Sequence, residues 1–193
     1  MILQGNDQLT GPSFSLGNRA LRLLWNIAYV GGFRFSPRFF HGWRRFLLRL
    51  FGARLGKDCR VYASARIWAP WNLTLGDHVR VGERAILYSM SRITVGDYAT
   101  VSQGAHLCCG THDYNSATFQ LIARPIEIGK RAWVCAEVFV HPGVSIPEGA
   151  VVGARAVVTR SLSEPWVVYA GNPARKVGTR RPNDLKAVPT VRP

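Results

Sequence analysis

The residues from 55 to 163 divide into groups of six, and this period constrains the fold more than any other feature of the sequence. Each group opens with an aliphatic residue, glycine often follows, and the fifth place is often small. The first three groups are LGKDCR, VYASAR and IWAPWN; the next are LGDHVR, VGERAI, LYSMSR, then VGDYAT, VSQGAH, LCCGTH, with two-residue spacers at 73–74 and 93–94. After an interruption, the remaining groups are IGKRAW, VCAEVF, VHPGVS, IPEGAV, VGARAV and VTRSLS.

A period of six predicts a chain that turns a corner every six residues. The aliphatic residue points inward, the small residue packs near the corner, and glycine accepts backbone angles that other residues avoid. Three such sides close a coil of about 18 residues, and stacked coils bury one continuous aliphatic column. An antiparallel barrel or sandwich would instead need alternation within longer strands. The sequence therefore predicts a solenoid of parallel strands.

These hexads resemble those of the hexapeptide-repeat acyltransferases over roughly residues 55 to 176. PIEIGKRAWV, VHPGVSIPEGAVVGARAVVTR and AGNPAR resemble the sugar O-acetyltransferase branch, and WRRFLLRLFGARLGKDCRV with GTHDY is similar to the acetyltransferases of exopolysaccharide (colanic-acid) biosynthesis. The resemblance implies an all-β, left-handed parallel β-helix with an N-terminal helical cap and an irregular C-terminal arm. It also implies acetyl transfer from acetyl-CoA to a sugar hydroxyl, by a homotrimer with active sites between subunits.

The hexads and the composition on either side of them divide the chain into three parts. A basic, aromatic and partly helical cap spans residues 1–54, and the β-helix spans 55–176. The insertion DYNSATFQLIARP interrupts the β-helix at about residues 113–125, and a basic tail that contains proline spans 177–193.

His112 occupies the last place of the hexad LCCGTH, at a predicted corner beside this insertion, where the resembled family carries its catalytic histidine. A sugar hydroxyl needs a base to take its proton as it attacks a thioester, and neutral imidazole is suited to that task. Its other ring nitrogen must be held by a carboxylate, for which Asp113 is adjacent, or by a backbone carbonyl. The alternative is that His112 only caps a turn, with Asp113 and Asn115 as local hydrogen-bond partners.

The stretch from 132 to 175 contains the predicted cofactor site. Small residues leave backbone accessible to the pantetheine amides, and arginine binds phosphate bidentately. By resemblance, the positions that match acetyl-CoA contacts are Ala136, Ala154, Thr159, Arg160 and Arg175, to which we add Gly153 and Trp133. Trp133 lies beside the thioester or is a corner aromatic. Where some relatives carry a further arginine, this chain has Gly178, so Arg180 or Arg181 would replace it.

Two other chemistries are less favoured. Some related β-helices resemble zinc-dependent carbonic anhydrases, for which His106, His112 and His141 are candidate ligands. Since residues six apart face different sides of a coil, we expect no metal. Cys108 and Cys109 suit packing in a tight coil better than nucleophilic catalysis, because direct transfer needs no covalent intermediate.

The acceptor cannot be carried over from the family. Some relatives bind it through acidic residues in the coil before the histidine, but this chain has Tyr88, Ser89 and Met90 there.

The formal net charge of +14, from 25 Lys plus Arg against 11 Asp plus Glu, favours an anionic partner. A non-catalytic scaffold, or a protein that binds nucleic acid or an anionic surface, is the alternative function, although no nucleic-acid module is recognisable.

Four cysteines without a C-x-x-C pair predict a cytoplasmic location. The apolar run 21–30 is too short to span a bilayer, so a membrane contact would be peripheral.

Residues 19–54 interleave arginines with aromatic residues. FHGWRRFLLRLFG predicts a short amphipathic helix that ends at Gly52. The residues expected on one side are Trp43, Phe46, Leu47 and Leu50. The favoured interpretation is that the segment caps the open end of the β-helix. The alternative is that it binds an anionic membrane near a lipid-linked sugar, and the two roles can coexist on opposite faces.

Overall fold

The computed structural model describes residues 2–3 and 11–181, and in them the hexads wind into a parallel β-helix with three flat faces. The first face contains β1 (Arg54–Leu55), β4 (Leu73–Leu75), β7 (Ile93–Val95), β12 (Ile126–Ile128) and β15 (Ser145–Ile146). The second contains β2 (Arg60–Val61), β5 (Arg80–Val81), β8 (Thr100–Val101), β13 (Trp133–Val134), β16 (Val151–Val152) and β18 (Val167–Ala170). The third contains β3 (Arg66–Ile67), β6 (Ile86–Tyr88), β9 (His106–Cys108), β14 (Phe139–Val140) and β17 (Val157–Val158). Two strands outside the coils, β10 (Gly110–His112) and β11 (Leu121–Ala123), form a hairpin, and β19 (Arg175–Thr179) follows the last coil.

The strand register follows the hexads. Arg54 pairs with Thr74, and Thr74 with Thr94, so one coil of three hexads and a spacer brings the chain back above itself. In the first two hexads of each coil, the fifth-place residues are at most 1% exposed: Cys59, Ala65, Val79, Ala85, Ala99, Ala105, Ala132, Val138, Ala150 and Ala156. In the third hexad of each coil this place is less regular, since Trp71, Ser91 and Leu162 are only half-buried. The aliphatic column and the small corner residues predicted from the sequence are thereby confirmed.

The glycine that follows the aliphatic residue has a different role from the one predicted. Positive φ angles fall two places later, at Asp58, His78, Tyr98 and Arg131, so the idea that the second-place glycine supplies an unusual backbone angle is wrong. Glycine is needed there because the next coil passes directly over it. A Cβ on Gly129 would lie 2.6 Å from the backbone nitrogen of Glu148.

Helices close the N-terminal end of the β-helix. α1 (Leu16–Ala28) continues into one π-helical turn, Tyr29–Phe33, and α2 (His41–Leu50) follows. Three arginines of α2 donate hydrogen bonds to carbonyl groups of the first coil. The bonds run from Arg44 to Val61 (2.7 Å), from Arg45 to Cys59 (3.1 Å) and from Arg49 to Leu55 (2.9 Å). The predicted cap is therefore confirmed, and these arginines satisfy backbone acceptors that an uncovered coil would leave unpaired.

One detail of the predicted α2 is wrong. Leu47 does not share a surface with Trp43, Phe46 and Leu50, because it is 7% exposed and packs into the core while the other three face solvent.

Beyond the last coil, β18 pairs in parallel with β16, and β19 turns back antiparallel to β18. The arm that we expected to be irregular from residue 177 is therefore strand as far as Thr179, because β19 covers the edge of the second face. Residues 182–193 of the predicted tail lie outside the described residues. Within the described part of the chain, no helix is long and apolar enough to cross a bilayer.

Candidate active site

The interruption of the hexads is a two-stranded arm, residues 110–123. β10 and β11 pair antiparallel, with Gly110 opposite Ala123 and His112 opposite Leu121. His112 therefore lies in the first strand of the arm and not at a coil corner, where we had placed it. The coil ends at Cys109, the last buried residue of this hexad. Thr111, at the fifth place of the hexad, is exposed and so is no longer part of the coil.

The His112 ring is held by the second half of the arm. Its Nδ1 lies 2.8 Å from the carbonyl oxygen of Phe119, and its ring stacks on the Phe119 ring at 4.4 Å between centroids and 12° between planes. A carbonyl oxygen can only accept a hydrogen bond, so Nδ1 carries the proton in this arrangement. The neutral tautomer then has its basic lone pair on Nε2, which is what a general base requires.

Asp113 supports the loop of the arm. Its Oδ1 accepts a hydrogen bond from the backbone nitrogen of Asn115 at 3.0 Å, as the turn interpretation predicted for this pair. Of the two partners considered for His112, the geometry favours the backbone carbonyl. No pattern in the sequence indicates Phe119 as the source of this carbonyl, because the contact depends on how the arm folds back.

Four of the predicted cofactor residues lie along one edge of the β-helix. This second edge is where the chain passes from the second face to the third, and it carries Ala136 between β13 and β14, and Gly153 and Ala154 between β16 and β17. The backbone of Arg155 donates to the carbonyl of Ala136 at 2.9 Å, so the two turns are stacked. Arg175 pairs with Ala170 where β18 reaches this edge. Successive turns are about 4.8 Å apart, which suits an extended ligand.

The other predicted residues lie to either side of this edge. Trp133 projects from the second face, 46% exposed, and its indole nitrogen donates to the Ser102 hydroxyl at 2.8 Å. Thr159 and Arg160 follow β17 at the third edge, where the chain leaves the third face for the first. The arm leaves the β-helix at this third edge too, after Cys109. Within one chain, the arm that carries His112 therefore leaves from the third edge, while Ala136, Gly153 and Ala154 lie at the second edge.

The sequence suggests that Arg180 or Arg181 binds a ligand phosphate, but the Arg180 guanidinium is held by other groups of the chain. Its guanidinium donates to the carbonyl oxygens of Arg131 (2.8 Å) and Gly149 (3.2 Å), and it packs over the Trp166 ring. These carbonyls belong to the edge between the first and second faces.

The cysteines have the character of packing residues. Burial raises the pKa of the Cys108 thiol and raises that of Cys109 to about 12. Such groups remain thiols at neutral pH, and a thiol is a poor nucleophile.

The three histidines considered for zinc belong to separate elements. His106 lies in β9 on the third face and His141 follows β14, each against the Phe139 ring, whereas His112 lies on the arm. Within residues 2–3 and 11–181, no cluster of three or more His, Cys, Asp or Glu residues is arranged to hold a metal.

A cavity of about 470 Å³ between α1 and the third face was not predicted. Its polar lining includes Arg22, Asn26, Tyr88 and His106. Burial lowers the pKa of His106, and its Nε2 is buried without a hydrogen-bond partner among the described residues. The sequence could not indicate this cavity because α1 itself was not predicted.

No protein-family model matches the chain. The protein WcaF from Escherichia coli K12, named as an acetyltransferase of colanic acid biosynthesis, is 45% identical over 164 residues, which cover 84% of this chain and 90% of that protein. A maltose O-acetyltransferase from Clostridium difficile 630 superposes with a TM-score of 0.79 at 22% identity, covering 86% of this chain and 90% of the other. A galactoside acetyltransferase solved in complex with coenzyme A superposes with a TM-score of 0.81 at 22% identity, covering 90% and 88%.

Proposed function

The chain belongs to the hexapeptide-repeat acetyltransferase family, and from that premise we propose that it moves an acetyl group from acetyl-CoA to a sugar hydroxyl of an exopolysaccharide or surface-polysaccharide precursor. The observation that carries the proposal is the bond between His112 Nδ1 and the Phe119 carbonyl, which leaves Nε2 basic. The similarity to WcaF supports the choice of a polysaccharide precursor, and the superposed maltose and galactoside enzymes support a sugar acceptor.

The chemistry is direct transfer. As the sugar hydroxyl oxygen attacks the thioester carbonyl carbon, Nε2 of His112 takes the hydroxyl proton. The carbon–sulfur bond of the resulting tetrahedral species then breaks, and the imidazolium returns the proton to the departing CoA thiolate. The products are the acetyl ester and the free thiol of CoA, and the histidine ends neutral with its proton on Nδ1, as it began. The Phe119 carbonyl keeps the ring oriented and stabilises the imidazolium that forms.

Acetyl-CoA would lie along the second edge. Ala154 is exposed and Ala136 and Gly153 are half-buried, and their small side chains suit a close approach of the pantetheine amides. The exposed Arg175 guanidinium suits a phosphate. Trp133 would flank the acetyl end, while Thr159 and Arg160 would be reached across the third face. The galactoside acetyltransferase with bound coenzyme A supports this cofactor.

The separation of the base from the second edge supports a homotrimer. Because the arm leaves one edge while the cofactor residues line another, we propose that His112 of one copy serves the second edge of the next copy. A ring of three heterologous contacts closes without exposed ends. A cytoplasmic location completes the proposal, and four free cysteines, two of them buried, are consistent with it.

The first test is His112→Ala, with His78→Ala as a matched control, since His78 lies at a different edge and stacks on Tyr98. Release of the CoA thiol would be followed with lipid-linked and nucleotide-activated sugars as acceptors. We expect kcat to fall by about 10²–10⁴-fold in His112→Ala, with acetyl-CoA binding retained, and to be unchanged in His78→Ala. Equal turnover in native protein and His112→Ala would remove His112 from the mechanism. Failure of native protein to bind acetyl-CoA would remove the proposed function altogether.

A further inference from the structure

Helix α1 presents its apolar side to solvent. Leu16, Leu23 and Ile27 are 78%, 61% and 62% exposed, and their spacing of seven and four residues aligns them in one stripe. The opposite side of the helix faces the β-helix. There Trp25 is 1% exposed and donates from its indole nitrogen to the carbonyl of Ile67 at 2.7 Å, and Asn18 and Arg22 line separate cavities. Apart from Trp25, the large apolar residues of α1 therefore lie away from the core, whereas a helix packed on a soluble core buries its apolar stripe.

Helix α2 extends the apolar surface. Trp43, Phe46 and Leu50 recur at helical spacing and are 43%, 54% and 66% exposed. The Trp43 indole donates to the carbonyl of Gly32 at 2.9 Å and its ring stacks on Phe46, so the stripe of α2 joins the turn that ends α1. We call this surface the docking face; its residues are Leu16, Leu23, Leu24, Ile27, Val30, Phe35, Phe39, Trp43, Phe46 and Leu50.

The surroundings of the docking face are positively charged. Residues 11–57, all of them described, contain eight arginines and no aspartate or glutamate. Three of these arginines are bound to the first coil, but Arg19, Arg34 and Arg54 are exposed. Arg34 also lies within 5.9 Å of the Phe35 ring centroid. Arginine and aromatic side chains at the border of an apolar stripe are the features of a helix that lies in a membrane interface.

The charge decides between the two simplest occupants of this surface. A second copy docked through the same face would bring arginine against arginine with no acid from residues 11–57 to pair with them. An anionic lipid surface supplies both the hydrocarbon that the apolar stripe needs and the phosphates that the arginines need. We propose that the docking face inserts into the interface of an anionic bilayer, with α1 and α2 parallel to its plane. This inference does not depend on the proposed sugar acceptor.

The test is co-sedimentation of the full chain with vesicles. Native protein is expected to sediment with phosphatidylcholine vesicles that contain phosphatidylglycerol, and less well with phosphatidylcholine alone or at raised salt. The double variant Leu23→Ser/Ile27→Ser should bind at least about tenfold more weakly. Val177→Ser, at a position 63% exposed on β19, is the matched control and should bind as native protein does. Circular dichroism and thermal unfolding would establish that all three proteins are folded.

Equal binding by native protein and the double variant would overturn the proposal, as would native protein that does not bind anionic vesicles. If native protein does not bind lipid and the double variant has a lower sedimentation mass than native protein, the docking face binds a second copy instead. Turnover with a soluble acceptor should be the same in all three proteins, which separates failure of docking from failure of the proposed function.

Discussion

Burial of Cys109 couples the stability of the protein to pH. Its thiol has a pKa of about 12 in the folded chain, against an ordinary value of 9.0, and burial is the main cause. The folded chain therefore holds this proton more tightly than the unfolded chain does. The resulting stabilisation is present below pH 9 and is lost as the pH rises from about 9 towards 12.

We expect the free energy of unfolding of native protein to fall more steeply across this pH range than that of Cys109→Ala. Urea denaturation at several pH values would measure both slopes, and each protein would serve as its own reference below pH 9. In native protein at pH 8, alkylation of Cys109 should be about a thousandfold slower than that of an unburied thiol. Parallel slopes, or rapid alkylation in the folded state, would contradict the pKa.

At the level of single residues, the chemistry of His112 could be predicted but its partner could not. The sequence offered an adjacent carboxylate, Asp113, and an unspecified carbonyl. Which one holds the ring depends on the fold-back of the arm, which brings the Phe119 carbonyl to Nδ1 and leaves Asp113 to the Asn115 turn. Any residue at position 119 would present a backbone carbonyl, so the type of residue there does not reveal this hydrogen bond.

Among the elements, the coils were predictable because each hexad repeats the same two inward places. The sequence predicts that the insertion begins at about residue 113, but the arm begins at Gly110. The prediction is late because LCCGTH continues the six-residue period, although the chain leaves the coil after Cys109. Helix α1 was missed because its apolar stripe faces solvent while Arg22 and Asn26 line the cavity beside the β-helix. A helix that buries a single large apolar residue, Trp25, and leaves its apolar stripe in solvent does not show the usual amphipathic pattern.

The glycines provide a test at this scale. In Gly129→Ala, the new Cβ would lie 2.6 Å from the Glu148 nitrogen, so adjacent coils must separate, and we expect a loss of about 2–3 kcal/mol of stability. Gly17→Ala is the matched control, because nothing lies within 4 Å of its Cβ and the site is helical. There we expect a gain of about 0.5 kcal/mol. Urea midpoints measure both changes, and equal effects would contradict the close approach of the coils.

For the whole molecule, the proposed site is divided between two copies, and this can be tested by complementation. His112→Ala removes the base, and Ala136→Trp is expected to obstruct the second edge. Each variant alone should be inactive, but co-expressed chains should regain about a quarter of native turnover, because that fraction of sites joins an intact arm to an intact edge. Turnover no higher than the sum of the separate variants, with a sedimentation mass of one 21.4 kDa chain, would place both halves within a single copy.

The stacking of the coils also limits how a chain of this kind can change length over evolution. Since Thr74 lies directly above Arg54 and below Thr94, adding or removing a whole coil would move the two ends apart or together but leave every remaining pairing intact. A single-residue insertion within a strand would turn the inward side chains outward from that point on. Inherited length variation should therefore occur in whole coils or at the third edge, where the arm already departs from the hexad.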